Sequence, residues 1–218
     1  MTLEEHSSFT KVCFRDESTA PLYCSKRIRP LVCFLNDVAA GRSRGTLNII
    51  CAETGCGKTA IMSGFSKELL AQGKSCKSIT AQQLITDLLL AISQDSAEAF
   101  LHQTDDILIL DDCFILYDST AKIVEKMHMA SPVTTMFLLF DEDIPFVQKQ
   151  IMPYLSVDQV FELPHLNKAA RTAFVMDYLQ ANPQLKVTEQ QALQHADSIK
   201  QIAALRAAIQ REHLKGSV

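Results

Sequence analysis

Asn48-Ile49-Ile50-Cys51-Ala52-Glu53-Thr54-Gly55-Cys56-Gly57-Lys58-Thr59 is the stretch that decides the fold. Leu47 to Cys51 is a short apolar run with β-branched residues, the composition of a strand buried on both faces. Lys58 to Ala71 reads as a helix, with Gly73 just beyond it as a stop. Between strand and helix, Ala52 to Thr59 matches the phosphate loop (Walker A), with Ala52 in place of the first glycine. Gly55 and Gly57 permit the tight turn that aims backbone N–H groups at phosphate. The helix opening near Gly57 adds its positive end. Lys58 is placed to reach the β- and γ-phosphates, and the Thr59 hydroxyl to hold Mg²⁺. The substitution at Ala52 is mild, because that position makes no close approach to phosphate.

Downstream, Ile107-Leu108-Ile109-Leu110-Asp111-Asp112 is an apolar strand that ends in two carboxylates (Walker B). Ligands of open α/β sheets bind at such strand ends. Mg²⁺ held by phosphates takes one or two carboxylates, so Asp111 is the metal candidate. Asp112 is the candidate for polarising the attacking water.

The rest of the chain repeats the same alternation. Ser25 to Ala40 carries a helical stripe at Ile28, Leu31, Val32, Leu35 and Val38, with Pro30 in its first turn. Ser75 to Ile79, Thr134 to Phe140 and Gln159 to Leu163 read as further strands. Thr80 is placed to cap a helix bearing Leu84, Ile85, Leu88, Leu89 and Ile92, and Ser119 to Met129 forms another. Asn167 to Leu179 and Thr188 to the C-terminus read as helices with no strand between them. The first 20 residues read as irregular or weakly extended. The fold class is α/β: a parallel sheet sandwiched by helices, followed by a small all-helical lid. The predicted division is a nucleotide-binding body over 1–166, with 1–24 as an N-terminal segment, and a lid over 167–218.

Composition excludes several classes. The 218 residues are 47% hydrophobic and 21% charged, ordinary values for a folded domain that has no need of disulfide or metal staples. A net charge of −4 argues against a whole-surface electrostatic binder of nucleic acid. Lys26-Arg27-Ile28-Arg29 and Arg42-Ser43-Arg44 are the compact basic clusters, and read as solvated surface. No apolar run has the roughly 18–20 residues of a membrane span, and the N-terminus is polar and acidic rather than a secretory signal. The expected compartment is the cytoplasm. Seven cysteines without a C-x-x-C pair fit reduced thiols rather than a disulfide framework. Cys56, at a helix N-terminus, has two readings: a plain small side chain, or a thiol with a lowered pKa open to oxidants.

With both motifs in place, the chain resembles the AAA+ ATPases, and within them the module of the bacterial replication initiator DnaA and its short relative Hda. The resemblance runs from about Asn48 to Arg211. It is carried by the two motif strands, by Phe137-Leu138-Leu139-Phe140-Asp141, and by Phe161-Glu162-Leu163-Pro164 leading into Arg171-Thr172-Ala173-Phe174-Val175. It implies binding of ATP or ADP with Mg²⁺, and puts Asp141 at the sensor-1 position, which feels the γ-phosphate.

The departures from the family pattern bear on activity. Not one arginine occurs between Arg44 and Arg171, so the expected arginine-finger region offers only Lys149. Lysine cannot form the same planar fork. The sensor-2 position falls on Ala203, with Arg206 one turn further on as the substitute. The initiator's C-terminal DNA-binding domain is expected to be missing, as it is from Hda. The function implied is a nucleotide-gated regulator or assembly factor in bacterial replication initiation, with weak ATP hydrolysis. Its partner would be an AAA+ initiator, a helicase or a second copy, and direct DNA binding would be weak. The alternatives are a helicase loader resembling DnaC, stimulated by single-stranded DNA, and a non-hydrolysing scaffold.

Overall fold

The computed structural model describes residues 1–7, 9–15, 21–102, 105–163, 165–199 and 202–215. Among them, five strands form one parallel sheet in the order β5-β6-β7-β4-β8. These are β4 (Leu47–Cys51), β5 (Cys76–Thr80), β6 (Ile107–Asp111), β7 (Thr135–Phe140) and β8 (Gln159–Glu162). The three central strands are the apolar runs of the sequence, buried along nearly their whole length.

Their side chains alternate between the two faces. Ile50, Ile107, Ile109, Phe137 and Leu139 join the core beneath α1 (Arg29–Ala39) and α2 (Lys58–Ala71). Leu47, Ile49, Leu108, Leu110, Met136 and Leu138 face the opposite core, under α3 (Ala81–Ser93) and α5 (Asp118–Ala130). The short helices α4 (Ala97–Leu101) and α6 (Ile144–Gln150) complete the connections. α6 escapes the periodicity reading because it has only seven residues. Asp143 caps it, accepting from Phe146 N–H, and Pro145 lies in its first turn.

Parallel register sets the chemistry at one edge. Ile49 pairs with Leu138, and Leu138 in turn with Leu110. β4, β6 and β7 therefore end side by side, and the segments that follow them converge.

Of the two readings of the N-terminus, irregular or weakly extended, the structure has the extended one, as ordered strands. β1 (Thr2–Glu5), β2 (Thr10–Cys13) and β3 (Leu22–Cys24) form an antiparallel sheet. Such short strands are marginal alone, and these are anchored on the body. The Met1 ammonium pairs with Glu68 of α2 at 2.7 Å, with both groups almost fully buried. Glu68 also accepts from the Arg15 N–H at 2.7 Å. The Phe14 ring occupies the space where a Cβ on Gly64 would stand.

After β8 the chain is helical: α7 (Lys168–Ala181), α8 (Glu189–Ser198) and α9 (Ile202–Lys215). Asn167 caps α7 and Thr188 forms a capping box with Gln191 on α8. The single helix expected from Thr188 onward is two, because Ile199 is extended (φ −102°, ψ 117°). These helices share an apolar cluster of Leu166, Ala170, Phe174, Val175, Ala192, Leu205 and Ile209, which Tyr23 of β3 joins. Arg171 ties α7 to α8 by donating to the carbonyls of Ala196 (2.7 Å) and Leu166 (2.6 Å). Among the described residues no helix is long and apolar enough to cross a membrane.

Candidate functional site

The strand edge opens into a cleft of about 700 Å³. Its floor is the phosphate loop. Ala52 N–H donates to the Phe140 carbonyl, prolonging the β4–β7 ladder by one residue before the chain turns. Gly55 and Gly57 are left-handed, at φ 84° and 99°, as the sequence requires. Gly57 is the N-cap of α2 and provides no side-chain partner, so the helix presents its first amides to the cleft.

The side chains singled out in the sequence meet here. Lys58 is only 6% exposed. Its Nζ donates to the Ala52 carbonyl at 2.7 Å and pairs with Asp141, which follows β7. A buried ammonium needs such partners, since burying it unpaired is costly. The Thr54 hydroxyl donates to the other Asp141 oxygen at 3.0 Å. The Thr59 hydroxyl donates to Asp111 Oδ2 at 2.8 Å. Asp112 N–H donates back to Asp111 Oδ1 at 2.9 Å, and Asp112 is left-handed at φ 53°. That conformation costs a non-glycine residue about 1–2 kcal/mol and is held where the surroundings enforce it.

Ala52 and Glu53 begin the loop, and Thr54, Gly55, Cys56, Gly57, Lys58, Thr59, Asp111, Asp112, Asp141 and Arg206 all line the cleft. Arg206 reaches it from α9. Its guanidinium lies 5.5 Å from the Phe174 ring centroid and 5.8 Å from that of Tyr178, a cation–π arrangement that holds a long side chain in place. Ala203 is on the same helix, and its side chain lies outside the described residues, as does Pro164. Lys149 is exposed on α6 and is not among the described residues lining the cleft.

One wall was not legible in the sequence. Phe14, Leu22 and Tyr23 near the N-terminus face the cleft, with Leu166 and, on α7, Phe174. Leu22 packs over Gly57, where a Cβ would come within 3.1 Å of it. Tyr23 meets Phe174 edge-on, with centroids 5.9 Å apart, and its hydroxyl donates to Asp177 of α7. Burial and this hydrogen bond raise the Tyr23 phenol well above its ordinary value. The available signal was the short apolar run Leu22-Tyr23-Cys24.

The reading of Cys56 as a thiol of lowered pKa is corrected. Burial pushes it up, and the nearby Lys58 ammonium only partly opposes this.

The donor set fits Mg²⁺ bound together with a phosphate. Thr59 and Asp111 supply a hydroxyl and a carboxylate at the cleft floor, and Asp112 supplies a second carboxylate. Among the described residues no group of three or more His, Cys, Asp or Glu is placed to hold a metal unaided. Phosphate oxygens and water would complete the shell, as is usual for this ion.

A parallel sheet with a phosphate loop after an inner strand, paired carboxylates at the end of the next strand but one, and a trailing helical region define an AAA+ P-loop NTPase fold. It is the fold of a DnaA-like AAA+ ATPase module. AMPPCP-bound DnaA from Aquifex aeolicus is similar at a TM-score of 0.69 and 16% identity, over 88% of this chain and 62% of that one. Domain III of Thermotoga maritima DnaA is similar at 0.68 and 16% identity, over 85% and 82% of the two chains. The ADP form of ORC2 from Aeropyrum pernix is similar at 0.57 and 15% identity, over 84% and 60%. The chain thus spans less than two thirds of the AMPPCP-bound DnaA chain. No protein-family model and no curated protein matches the sequence.

Proposed function

We propose that this chain binds Mg·ATP and ADP in the cleft, hydrolyses ATP weakly, and acts as a nucleotide-gated regulator or assembly factor in bacterial replication initiation. The observation that supports the reading is the convergence of Lys58, Thr59, Asp111, Asp112, Asp141 and Arg206 on one cleft beside two left-handed loop glycines.

In this reading the loop amides and the N-terminus of α2 take the phosphates, and Lys58 exchanges Asp141 for phosphate oxygens. Thr59 and Asp111 hold the Mg²⁺, which neutralises phosphate charge when bound. Asp112 orients and polarises the attacking water, and Asp141 senses the γ-phosphate. The base lies against Leu22, Tyr23, Leu166 and Phe174. Arg206 approaches from the lid, over 167–218, toward a body over 1–166.

Weak hydrolysis follows from the arginine census. An arginine finger contributes about 10³–10⁵ in rate, and the stretch between Arg44 and Arg171 contains none. The partner would be an AAA+ initiator, a helicase or a second copy, met in the cytoplasm, with direct DNA contact contributing little. Capture from bacterial cytosol with the full chain, with and without ATP, tests this. ATP-dependent retention of an initiator or helicase, lost in Lys58→Ala, is expected. Equal retention by Lys58→Ala would contradict nucleotide gating. Turnover raised by single-stranded DNA would favour a helicase loader instead.

A further inference from the structure

The phosphate loop carries a second constellation, of side chains to which the proposed nucleotide chemistry gives no role. Cys56 N–H donates to the Glu53 carbonyl at 3.2 Å, so the loop folds Glu53 and Cys56 toward each other. His165, on the connection from β8 to α7, stands between their side chains. Its Nε2 lies 2.6 Å from Glu53 Oε2, and its Nδ1 lies 3.5 Å from Cys56 Sγ.

The geometry fixes the roles. A carboxylate only accepts, so Nε2 carries the hydrogen donated to Glu53. In the neutral ring Nδ1 is then the acceptor, facing the thiol. Glu53 and Cys56 touch opposite nitrogens, so the three cannot chelate one metal ion. What they make is a relay of thiol, base and orienting acid, the arrangement that activates a nucleophile.

We propose that Cys56 is an activated nucleophilic thiol that takes small soft electrophiles, with His165 as its base and Glu53 as the group positioning that base. In the step, Sγ attacks the electrophilic carbon and the S–C bond forms as the bond to the leaving group breaks. The leaving group departs with its electron pair, and the thiol proton passes to His165 Nδ1. Cys56 lines both the 700 Å³ cleft and a pocket of about 190 Å³ that His165, Glu53, Glu142 and Glu162 also line, so a small reagent has a place to stand.

Other groups facing the thiol do not replace the base. Lys58 favours the thiolate, while Glu53 and Asp141 disfavour it, and the buried Cys24 is a further neighbour. Burial dominates, so without His165 this thiol is less reactive than an exposed one. Cys33, exposed on α1, is the internal reference.

The test is iodoacetamide labelling of the intact chain at neutral pH, with Cys56 and Cys33 quantified separately by peptide mass spectrometry. General-base assistance is worth about 10²–10⁴, and the burial of Cys56, which is only 8% exposed, reduces the net advantage. Cys56 is expected to label at least about tenfold faster than Cys33. His165→Phe, which keeps the ring's bulk, is expected to bring it below Cys33 while Cys33 is unchanged. Glu53→Gln, which leaves the base in place, is expected to slow Cys56 several-fold. Cys56 labelling no faster than Cys33, or unaffected by His165→Phe, would overturn the proposal. Continued protection of the fully buried Cys51 and Cys113 from labelling in the variants shows that the fold is kept. An arm with Mg·ADP separates this inference from the nucleotide reading, on which it does not depend. Protection of Cys56 alone is the expected result. Fast labelling without protection would count against nucleotide binding and leave the activated thiol standing.

Discussion

Asp141→Asn removes the countercharge of Lys58 while keeping its shape and an acceptor for the Thr54 hydroxyl. Without nucleotide, the ammonium is then left with the Ala52 carbonyl and a neutral amide. Breaking a fully buried ion pair costs about 3–5 kcal/mol. Here Lys58 is 6% exposed but Asp141 is 40% exposed, so solvent screens one partner. Discounting for that gives about 1–2 kcal/mol. For a chain of this length, 1 kcal/mol moves the melting temperature by about 2–4 °C, so the free variant should melt a few degrees below wild type. Phosphate restores the lost charge. The stabilisation by Mg·ADP should therefore be larger in the variant, by about the same 1–2 kcal/mol, which is roughly a five- to thirtyfold gain in affinity. ADP is the better probe because it lacks the γ-phosphate that Asp141 would sense. Differential scanning fluorimetry across an ADP series measures both numbers. A variant that loses stability but gains no more from ADP than wild type would refute the idea that Asp141 holds the place of phosphate on Lys58.

Three further expectations concern the frame around the site. Gly45 is left-handed at φ 62°, and a Cβ there would overlap the Pro132 carbonyl oxygen, whereas Gly73, at φ 75°, has open space. Gly45→Ala should cost about 2–5 kcal/mol in chemical denaturation and Gly73→Ala about 1–2; equal losses would show that the close approach contributes nothing. Glu68→Gln leaves the buried Met1 ammonium without its countercharge, and should cost about 3 kcal/mol or more by the same measurement. A loss below about 0.5 kcal/mol, the scale of a surface substitution, would contradict the anchoring of the N-terminal sheet on α2. At Asp177, burial raises the carboxyl pKa, but hydrogen bonds from Tyr23 and Lys11 outweigh it and hold it below its ordinary value. A lowered carboxyl stabilises the fold above its unfolded pKa of about 3.9, and that stability is lost as pH falls through the folded value. Wild type should therefore melt higher than Asp177→Asn at pH 5–7, with the gap closing toward pH 3; a gap independent of pH would sink this assignment.

The parts of the fold that were legible are those whose physics is local. The central strands announce themselves because β4, β6 and β7 are buried on both faces and are almost wholly apolar; at Asn48 the amide N–H groups are satisfied by the Thr46 and Met136 carbonyls, while the buried Oδ1 has no partner among the described residues. The phosphate loop was legible because φ above zero at two positions nearly demands glycine. Asp111 was legible because it ends the apolar run of β6, and Asp141 because the family resemblance puts a polar group just after β7.

What escaped depends on distant contacts. The N-terminal strands are three or four residues long, and hold through Met1 on Glu68, Phe14 on Gly64 and Tyr23 on Asp177. No local pattern encodes those pairings. The break at Ile199 has neither glycine nor proline to mark it. The lowered-pKa alternative for Cys56 failed because the helix N-terminus is a local feature, whereas the burial that raises the thiol and its neighbour His165 are not.

The central claim is that this cleft is a nucleotide site. Isothermal titration calorimetry of the intact chain with ADP and Mg²⁺, wild type against Lys58→Ala, tests it most directly. Saturable 1:1 binding with a Kd well below about 1 mM, lost in Lys58→Ala while the variant stays folded, is the expected result. No binding of ADP or ATP at millimolar concentration, or equal binding by both proteins, would contradict it.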